Sequence, residues 1–264
     1  VRAYDVAGNV SDGLVGDGVM LDISAPEAGS VVDGLEDDLE FTASTTTLSA
    51  TWSGFSDTGS GIQFYEYAAG TTSGGTDVVD WTEHSTFTSM GVASLSLTGG
   101  STYYVSVRAT DMVENVSDVV SSDGVTVDLV GPESGTVLDG TGEDVDWTNS
   151  DTTLEASWLG FSDALSGIQY FEYAVGTAID SFALGAWQSI GIDTFFIESD
   201  LTLISGETYY VFVKATDQVN NTGSVAASDG VTVDNVDPTV STPNEGSIDA
   251  DYDFQNSLSQ LIIS

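Results

Sequence analysis

The sequence has no cysteine, only three lysine and arginine residues, one histidine and four prolines in 264 residues. The lack of cysteine excludes a disulfide framework and thiolate chemistry. The lack of any run of about 18 apolar residues excludes a membrane-spanning helix. A single histidine cannot form a histidine cluster for a metal, and no glycine-rich phosphate loop opens a helix. We therefore expect no catalytic residues and no enzyme.

The charge is almost entirely of one sign. Forty-two acidic residues against three basic ones give a formal net charge of −39. Such a field repels nucleic acid and anionic membranes, so neither is expected as a partner. It attracts counterions, divalent cations above all, and it also favours solubility in a salty medium. No cofactor is required by this composition, and calcium is the candidate ligand.

The chain repeats itself with a period of 106 residues. VRAYD at 1–5 returns as VRATD at 107–111 and VKATD at 213–217, and TWSGFSD at 51–57 returns as SWLGFSD at 157–163. A fixed period of this kind indicates tandem copies of one structural unit. The frame predicts the end of one repeat at 1–22, whole repeats at 23–128 and 129–234, and the beginning of another at 235–264. We expect the sequence to be a segment of a longer array.

Apolar and polar residues alternate within each whole repeat. In the first repeat the alternating apolar positions include Leu48, Ala50, Trp52, Tyr103, Val105, Val107 and Ala109. A period of two predicts strands with one face on a core, and clusters of Gly, Asp, Asn and Ser separate these runs. Several short strands in about 100 residues predict an all-β fold of tandem antiparallel β-sandwich domains.

Three segments of the repeat resemble a known family. TLSATWSGF, GIQFYEY and LTGGSTYYVSVRATD resemble strand B, strand C and the E–F corner leading into strand F of fibronectin type III domains. The corner pattern is carried by Leu97, Gly100, Tyr103, Leu203, Gly206 and Tyr209. The DxxxN turn after strand F and the SDGVTVD strand are more similar to immunoglobulin-like repeats of large bacterial surface proteins. The resemblance implies a fold and no particular function, because this architecture hosts many roles.

Recurring acidic residues form the candidate metal sites. The resemblance places the B–C and F–G loops at one end of each sandwich, facing the end of the preceding unit. Two predicted calcium-ligand sets follow, namely Asp22, Asp57, Asp111 and Asn115 at the first junction, and Asp128, Asp163, Asp217 and Asn221 at the second. Calcium takes six to eight oxygen ligands, which a ring of acids can supply. Asp and Asn are also ordinary turn residues that hydrogen-bond their own backbone, and this alternative stays open.

The three basic residues Arg2, Arg108 and Lys214 share one position of the repeat. In the family fold this position lies on the outward face of strand F, beside strand C. We predict two structural cross-strand ion pairs, Arg108 with Glu66 and Lys214 with Glu172, each worth less than about 1 kcal/mol. An anion or partner contact is the alternative.

Other polar and aromatic residues give weaker signals. Asn9, Asn115 and Asn220 lie in N-x-S/T sequons beside the F–G turn and are candidate glycosylation sites, although turn chemistry explains them as well. His84 does not recur and is expected at the surface. Trp81 and Trp187 are expected in the core, with an exposed sugar-stacking platform as the alternative.

These features favour a structural or adhesive spacer, or a fibre segment, of an extracellular tandem-repeat surface protein stiffened by calcium at its domain junctions. Repeat-built chains contact mainly their neighbours, so length grows by copying units. The expected partners are the neighbouring repeats of the same chain, together with other copies in a fibre or a surface glycan or protein. The alternative is a carbohydrate- or protein-binding accessory module of a secreted multidomain enzyme.

Overall fold

The computed structural model describes residues 1–178 and 186–240, and all regular secondary structure in these residues is β. The strands of the first repeat are β1 (Ser30–Asp33), β2 (Phe41–Thr42), β3 (Leu48–Ser53), β4 (Ile62–Gly70), β5 (Val79–Glu83), β6 (Ser89–Val92), β7 (Thr102–Asp111), β8 (Val120–Ser121) and β9 (Val125–Val127). Those of the second are β10 (Thr136–Asp139), β11 (Trp147–Thr148), β12 (Leu154–Leu159), β13 (Ile168–Gly176), β14 (Gln188–Gly191), β15 (Phe195–Glu198), β16 (Thr208–Asp217), β17 (Ala226–Ala227) and β18 (Val231–Val233). The predicted all-β class is confirmed.

Each repeat builds two sheets. In the first repeat, β1, β3 and β6 form a three-stranded sheet in the order β1-β3-β6. The larger sheet has the order β2-β9-β7-β4-β5, with β8 also paired to β7. All pairs are antiparallel except β2 with β9, which run parallel. The predicted antiparallel β-sandwich is confirmed, and the short parallel pair at the edge of the larger sheet is a feature that the sequence did not predict.

The core of the first repeat lies between its two sheets. Trp52 on β3, Tyr65 on β4 and Val107 on β7 belong to one buried cluster, so both sheets contribute to it. The rings of Trp52 and Tyr65 meet edge to face with centroids 5.7 Å apart. Every position of the predicted alternation on β3 and β7 is buried. Burial of each large apolar side chain stabilises the fold by about 1.5–3 kcal/mol.

The second repeat has the same strand order in two further sheets, β10-β12-β15 and β11-β18-β16-β13-β14, with β17 on β16. Its core repeats the aromatic contact, since the rings of Trp158 and Phe171 lie 5.7 Å apart. Tyr173 on β13 and Phe196 on β15 stack at 4.1 Å, which again joins the two sheets. Phe171 and Phe196 stand where the first repeat has Tyr65 and Met90, and all four residues are buried.

The corner before strand F is held by a buried tyrosine in both repeats. The hydroxyl of Tyr103 accepts a hydrogen bond from the backbone N of Thr98 at 2.8 Å. Tyr209 accepts one from the backbone N of Ile204 at 2.9 Å. This tyrosine corner is typical of immunoglobulin-like sandwiches. It is the corner that the sequence pattern predicted.

By internal contacts the chain divides into two compact units. The first comprises Val1–Ser134, Phe161–Tyr170 and Lys214–Ser224, and the second comprises Gly135–Gly160, Phe171–Val213 and the chain from Val225 onward. Three segments of the second repeat, 129–134, 161–170 and 214–224, therefore group with the first unit. The reason is local, because Ser166 and Asn221 in these segments hydrogen-bond to Asp128. The domain limits predicted at 22, 128 and 234 stay predictions.

The two partial repeats contain little regular structure among the described residues. Residues 1–22 contain an isolated bridge between Tyr4 and Val10, with a turn between them, and the prediction that they end a preceding repeat stays a prediction. Residues 235–240 contain no strand. The rest of the predicted following repeat, 241–264, lies outside the described residues, as do 179–185.

Candidate metal centres

The first predicted ligand set comes together at one end of the first repeat. Asp22 lies in the stretch before β1, Asp57 lies in the loop after β3, and Asp111 is the last residue of β7. One carboxylate oxygen from each lies within 4.8 Å of the others. Asp111 is completely buried, whereas the other two are half-buried. We call these three residues the first junction cluster.

Backbone amides already hold the carboxylates of this cluster. Asp22 Oδ2 accepts a hydrogen bond from the backbone N of Ser60 at 2.6 Å, and Oδ1 accepts one from Ser24 N at 3.1 Å. These bonds, led by that from Ser24, lower the pKa of Asp22. Burial pushes the pKa of Asp111 upward, but hydrogen bonds from Asn115 and Val113 outweigh it and lower the pKa. Both carboxylates are therefore held in the charged form that a cation needs.

The second predicted set repeats this geometry. Asp128, Asp163 and Asp217 form the second junction cluster, again with carboxylate oxygens within 4.8 Å of one another. Asp128 and Asp217 are fully buried. Asp128 Oδ2 accepts a hydrogen bond from Ser166 Oγ at 2.6 Å, and Asp163 Oδ1 accepts one from Gly167 N at 2.8 Å. All of these residues belong to the first compact unit.

The two predicted asparagine ligands act here as hydrogen-bond donors. Asn115 Nδ2 donates to Asp111 Oδ2 at 2.7 Å and to the carbonyl oxygen of Ser24 at 3.2 Å. Asn221 Nδ2 likewise donates to Asp217 Oδ2 at 2.8 Å and to Asp128 O at 3.1 Å. The asparagines thus fasten the F–G turn to the chain that precedes β1 or β10. The turn interpretation and the metal interpretation draw on the same side chains.

The same turn accounts for the sequons. Asn9 Nδ2 donates to Asp5 Oδ2 at 2.7 Å, as Asn115 does to Asp111. Asn115 is half-buried with its amide nitrogen already engaged, whereas Asn9 and Asn220 are exposed. Asn220 is one position off the repeat, because the residue equivalent to Asn115 is Asn221. Glycosylation of the three sequons stays a prediction.

Sequence reasoning missed two further acidic groups, one in each repeat. They are Asp33, Asp38 and Asp123, and Asp139, Asp144 and Asp229, each with carboxylate oxygens within 4.8 Å of one another. Their signal in the sequence is an aspartate at an inward position of an alternating strand, in SVVD and TVLD. That position normally takes an apolar residue.

The predicted pair of Arg108 with Glu66 is present in the structure. Glu66 lies opposite Arg108 in the pairing of β4 with β7, and Arg108 donates from Nε at 2.6 Å and from a terminal nitrogen at 3.0 Å. The hydrogen bond to Glu66 raises the pKa of Arg108. The guanidinium also lies 4.4 Å from the ring centroid of Trp81. The pairing of Lys214 with Glu172 stays a prediction.

Two aromatic residues differ from expectation. His84 is half-buried, with its ring 5.7 Å from Trp52 and 5.4 Å from Tyr67, and its Nε2 lies 2.7 Å from Ser89 O. The expected surface histidine is thus a packing residue, because the turn after β5 folds it onto the edges of two rings. Trp81 is half-buried beneath Arg108 and is not the core residue that was expected.

Comparisons with known proteins bear on the fold alone. No protein-family model and no curated protein matches the chain. It is similar to the FN1-FN3 domains of chicken CNTN1, with 14% identity and a TM-score of 0.36 over 88% of this chain and 76% of that one. It is also similar to domains A168-A170 from titin, with 15% identity and a TM-score of 0.46 over 88% of this chain and 73% of that one. Each repeat is a β-sandwich of two sheets. No helix among the described residues is long and apolar enough to cross a membrane.

Proposed function

We propose that this chain is a structural spacer of an extracellular tandem-repeat surface protein, with calcium fixing each junction between repeats. The observation that carries the proposal is the duplicated junction cluster. Asp22 and Asp128 each lie in the chain that leads into a repeat, and each meets acids from the loop after strand B and from the end of strand F. A cation shared by such a set ties the connecting segment to the sandwich that follows it.

The ligand chemistry suits calcium. Calcium takes six to eight oxygens from carboxylates, carbonyls, hydroxyls and water, and three carboxylates supply a substantial part of that shell. Ser60 Oγ is buried beside the first junction cluster, and the Ser60 hydroxyl helps to lower the pKa of Asp111. The two carboxylates equivalent in position, Asp111 and Asp217, are completely removed from solvent. An ion there would compensate charges that water cannot reach.

A spacer also agrees with the surface of the chain. Forty-two acids keep the protein soluble and discourage association with nucleic acid or anionic lipid. Extracellular modules bind calcium with dissociation constants on the order of 10⁻⁴–10⁻³ M, which extracellular calcium can saturate. The partners are then the neighbouring repeats and, in a fibre, other copies of the chain.

The accessory-module alternative depends on exposed aromatic platforms. Trp81 is half-buried under Arg108, which covers one face of its ring, and Trp187 is half-buried as well. Neither residue favours that alternative over a spacer. A glycan array provides the direct comparison, and saturable binding of one glycan class by the full chain would overturn the spacer proposal.

The junction proposal is tested by small-angle X-ray scattering of the full chain in millimolar calcium and in chelator. We expect calcium to reduce the flexibility seen in the scattering curve. A junction variant, Asp57→Asn with Asp163→Asn, should lose this response because each cluster loses one charged ligand. Both residues are half-buried loop positions, so the fold should survive the change.

The matched control is Asp80→Asn with Asp118→Asn, two exposed acids outside all four acidic groups. It removes the same charge and should keep the wild-type response. Scattering curves that are identical with and without calcium in the wild-type chain contradict calcium fixation of the junctions.

A further inference from the structure

Asp33 occupies a position that alternation reserves for the core. On β1 the side chains of Val31 and Asp33 point inward, and both are buried. Asp33 is 0% exposed, which is rare for an aspartate unless it is paired. The last residue of β1 therefore places a carboxylate in the interior of the sandwich.

Two more acids approach this carboxylate from other segments. Asp38 lies in the loop after β1, and its Oδ1 accepts a hydrogen bond from the backbone N of Asp33 at 3.0 Å. Asp123 lies in the bend between β8 and β9, in a distant part of the repeat. One carboxylate oxygen from each residue lies within 4.8 Å of the other two. Asp38 and Asp123 are exposed, so the group combines two solvent-accessible acids with one buried acid.

Hydrogen bonding leaves one oxygen of the buried acid unused. Asp33 Oδ2 accepts a hydrogen bond from the backbone N of Gly124 at 2.9 Å. Asp33 Oδ1 is buried and has no hydrogen-bond partner among the described residues. A turn role explains Oδ2, but it does not explain Oδ1, because an unsatisfied buried acceptor destabilises a fold.

The charges around Asp33 also favour a bound cation. Burial raises the pKa of Asp33 to about 6, and the charges of Asp38 and Asp123 push it in the same direction. The Ser122 hydroxyl and the hydrogen bond from the Gly124 amide oppose this rise. Asp33 thus faces two further acids, each with a carboxylate oxygen within 4.8 Å of its own. A bound cation compensates all three.

Glycines shape the pocket around Asp33. Gly124 has φ +103°, and a Cβ there would meet the Tyr104 ring at 2.7 Å, so only glycine lets this backbone amide reach Asp33. Gly34 also has φ +103°, and a Cβ there would clash with the carbonyl oxygen of Asp37. The loop that carries Asp38 can therefore turn back over Asp33 only with glycine at position 34.

The second repeat reproduces every part of this arrangement. Asp139 is 0% exposed, its Oδ2 accepts a hydrogen bond from Gly230 N at 2.8 Å, and its Oδ1 has no partner among the described residues. Asp144 Oδ1 accepts a hydrogen bond from Asp139 N at 2.8 Å, and Asp229 completes the group. The same oxygen is without a partner among the described residues at the same position of both repeats, which indicates that each repeat binds the same kind of ligand there.

We infer that each repeat binds one calcium ion inside its own sandwich, on Asp33, Asp38 and Asp123 in the first repeat and on Asp139, Asp144 and Asp229 in the second. The unpaired Oδ1 of the buried aspartate is the anchoring ligand, and the two exposed acids close the shell together with water. Calcium suits this open set better than magnesium, which demands near-ideal octahedral geometry at shorter distances. These sites do not depend on the junction clusters.

The test counts calcium ions bound by the full chain, by isothermal titration and by terbium luminescence with calcium as competitor. Tyr104 and Tyr210, whose rings lie against Gly124 and Gly230, are in place to sensitise terbium at these sites. The variant Asp38→Asn, Asp123→Asn, Asp144→Asn, Asp229→Asn changes only exposed residues and keeps the acceptor oxygens of Asp38 and Asp144. We expect it to lose two calcium ions per chain and most of the calcium-competable terbium signal.

The junction variant Asp57→Asn with Asp163→Asn is the matched control, and it should keep these two ions. Loss of ions in the junction variant alone would overturn the intradomain sites while leaving the junction proposal standing. Loss of ions only in the variant with four substitutions would support the intradomain sites and count against the junction proposal.

A second variant, Asp33→Asn with Asp139→Asn, removes the buried charges of the intradomain sites. It should abolish the part of the calcium-dependent rise in Tm of the chain that these sites cause. An equal rise in Tm with calcium in this variant and in the wild-type chain contradicts the inference.

Discussion

The hydroxyl of Tyr103 accepts a hydrogen bond from the backbone N of Thr98, five residues earlier, at 2.8 Å. Tyr103 is 4% exposed, so its ring is in the core while its oxygen reaches the corner before strand F. Tyr103 thus packs in the core with its ring and holds the backbone of the corner with its hydroxyl.

Replacing Tyr103→Phe keeps the buried ring and removes the acceptor. We expect the free energy of unfolding to fall by about 1 kcal/mol, the usual worth of a hydrogen bond of this kind. Urea denaturation measures the change. Tyr104→Phe is the control, because it makes the same chemical change on a neighbouring half-buried ring. Equal losses in the two variants contradict a specific role for the corner hydrogen bond.

The pair of Arg108 with Glu66 provides a second prediction. A double-mutant cycle with Arg108→Ala and Glu66→Ala should give a coupling energy of about 0.5–1 kcal/mol, because the contact has two hydrogen bonds and is only partly exposed. The coupling should decrease at high salt, since screening weakens partly exposed ion pairs. A coupling near zero at low salt would show that the pair contributes nothing to stability.

Glu114 adopts a left-handed backbone conformation with φ 73° at the turn after β7. The equivalent positions hold Gly8 with φ 91° and Asn220 with φ 70°, two residue types that tolerate this region. Glu114→Gly should therefore stabilise the fold by about 0.5–1 kcal/mol. The control, Asp118→Gly, introduces glycine at an exposed residue without positive φ and should not stabilise. A lower Tm for Glu114→Gly rules out strain at this position.

The lowered pKa of Asp77 predicts that the stability of the fold depends on pH. Hydrogen bonds from the backbone and then the hydroxyl of Thr71 lower the pKa of Asp77 below its ordinary value. A lowered folded-state pKa means that Asp77 contributes stability above its unfolded pKa and loses it as the pH falls through the folded value. Asp77→Asn should thus lower Tm at pH 7, and the difference from wild type should shrink as the pH falls below the folded-state pKa. Asp80→Asn, an exposed acid on β5, is the control. A difference in Tm that is the same at neutral and at strongly acidic pH contradicts the prediction.

Part of this architecture follows from local pattern. The alternation around Trp52 and Val107 predicted strands with one buried face, and the repeat period predicted that Trp158 and Val213 would be buried in the same way. The junction clusters could be anticipated because their members flank strands whose order the family resemblance supplied. The pairing of Arg108 with Glu66 followed from the same strand order.

Features that depend on contacts between distant segments were not accessible in this way. No pattern in the sequence shows that β2 pairs parallel to β9, or that His84 folds onto Trp52 and Tyr67. The acids at 33, 38 and 123 also lie in three separate segments, and a search for recurring loop acids passes over an aspartate inside a strand.

The sequence by itself determined the period, the strands, the buried face of each strand and the nearly one-signed charge. These properties are local, because each depends on side chains a few positions apart or on composition. Only the tertiary structure decided which carboxylate oxygens approach within 4.8 Å, and that Asp33 Oδ1 and Asp139 Oδ1 are buried without a partner among the described residues. The physical reason is that such distances are set by sheet packing and by the backbone at Gly34 and Gly124, which bring together segments far apart along the chain.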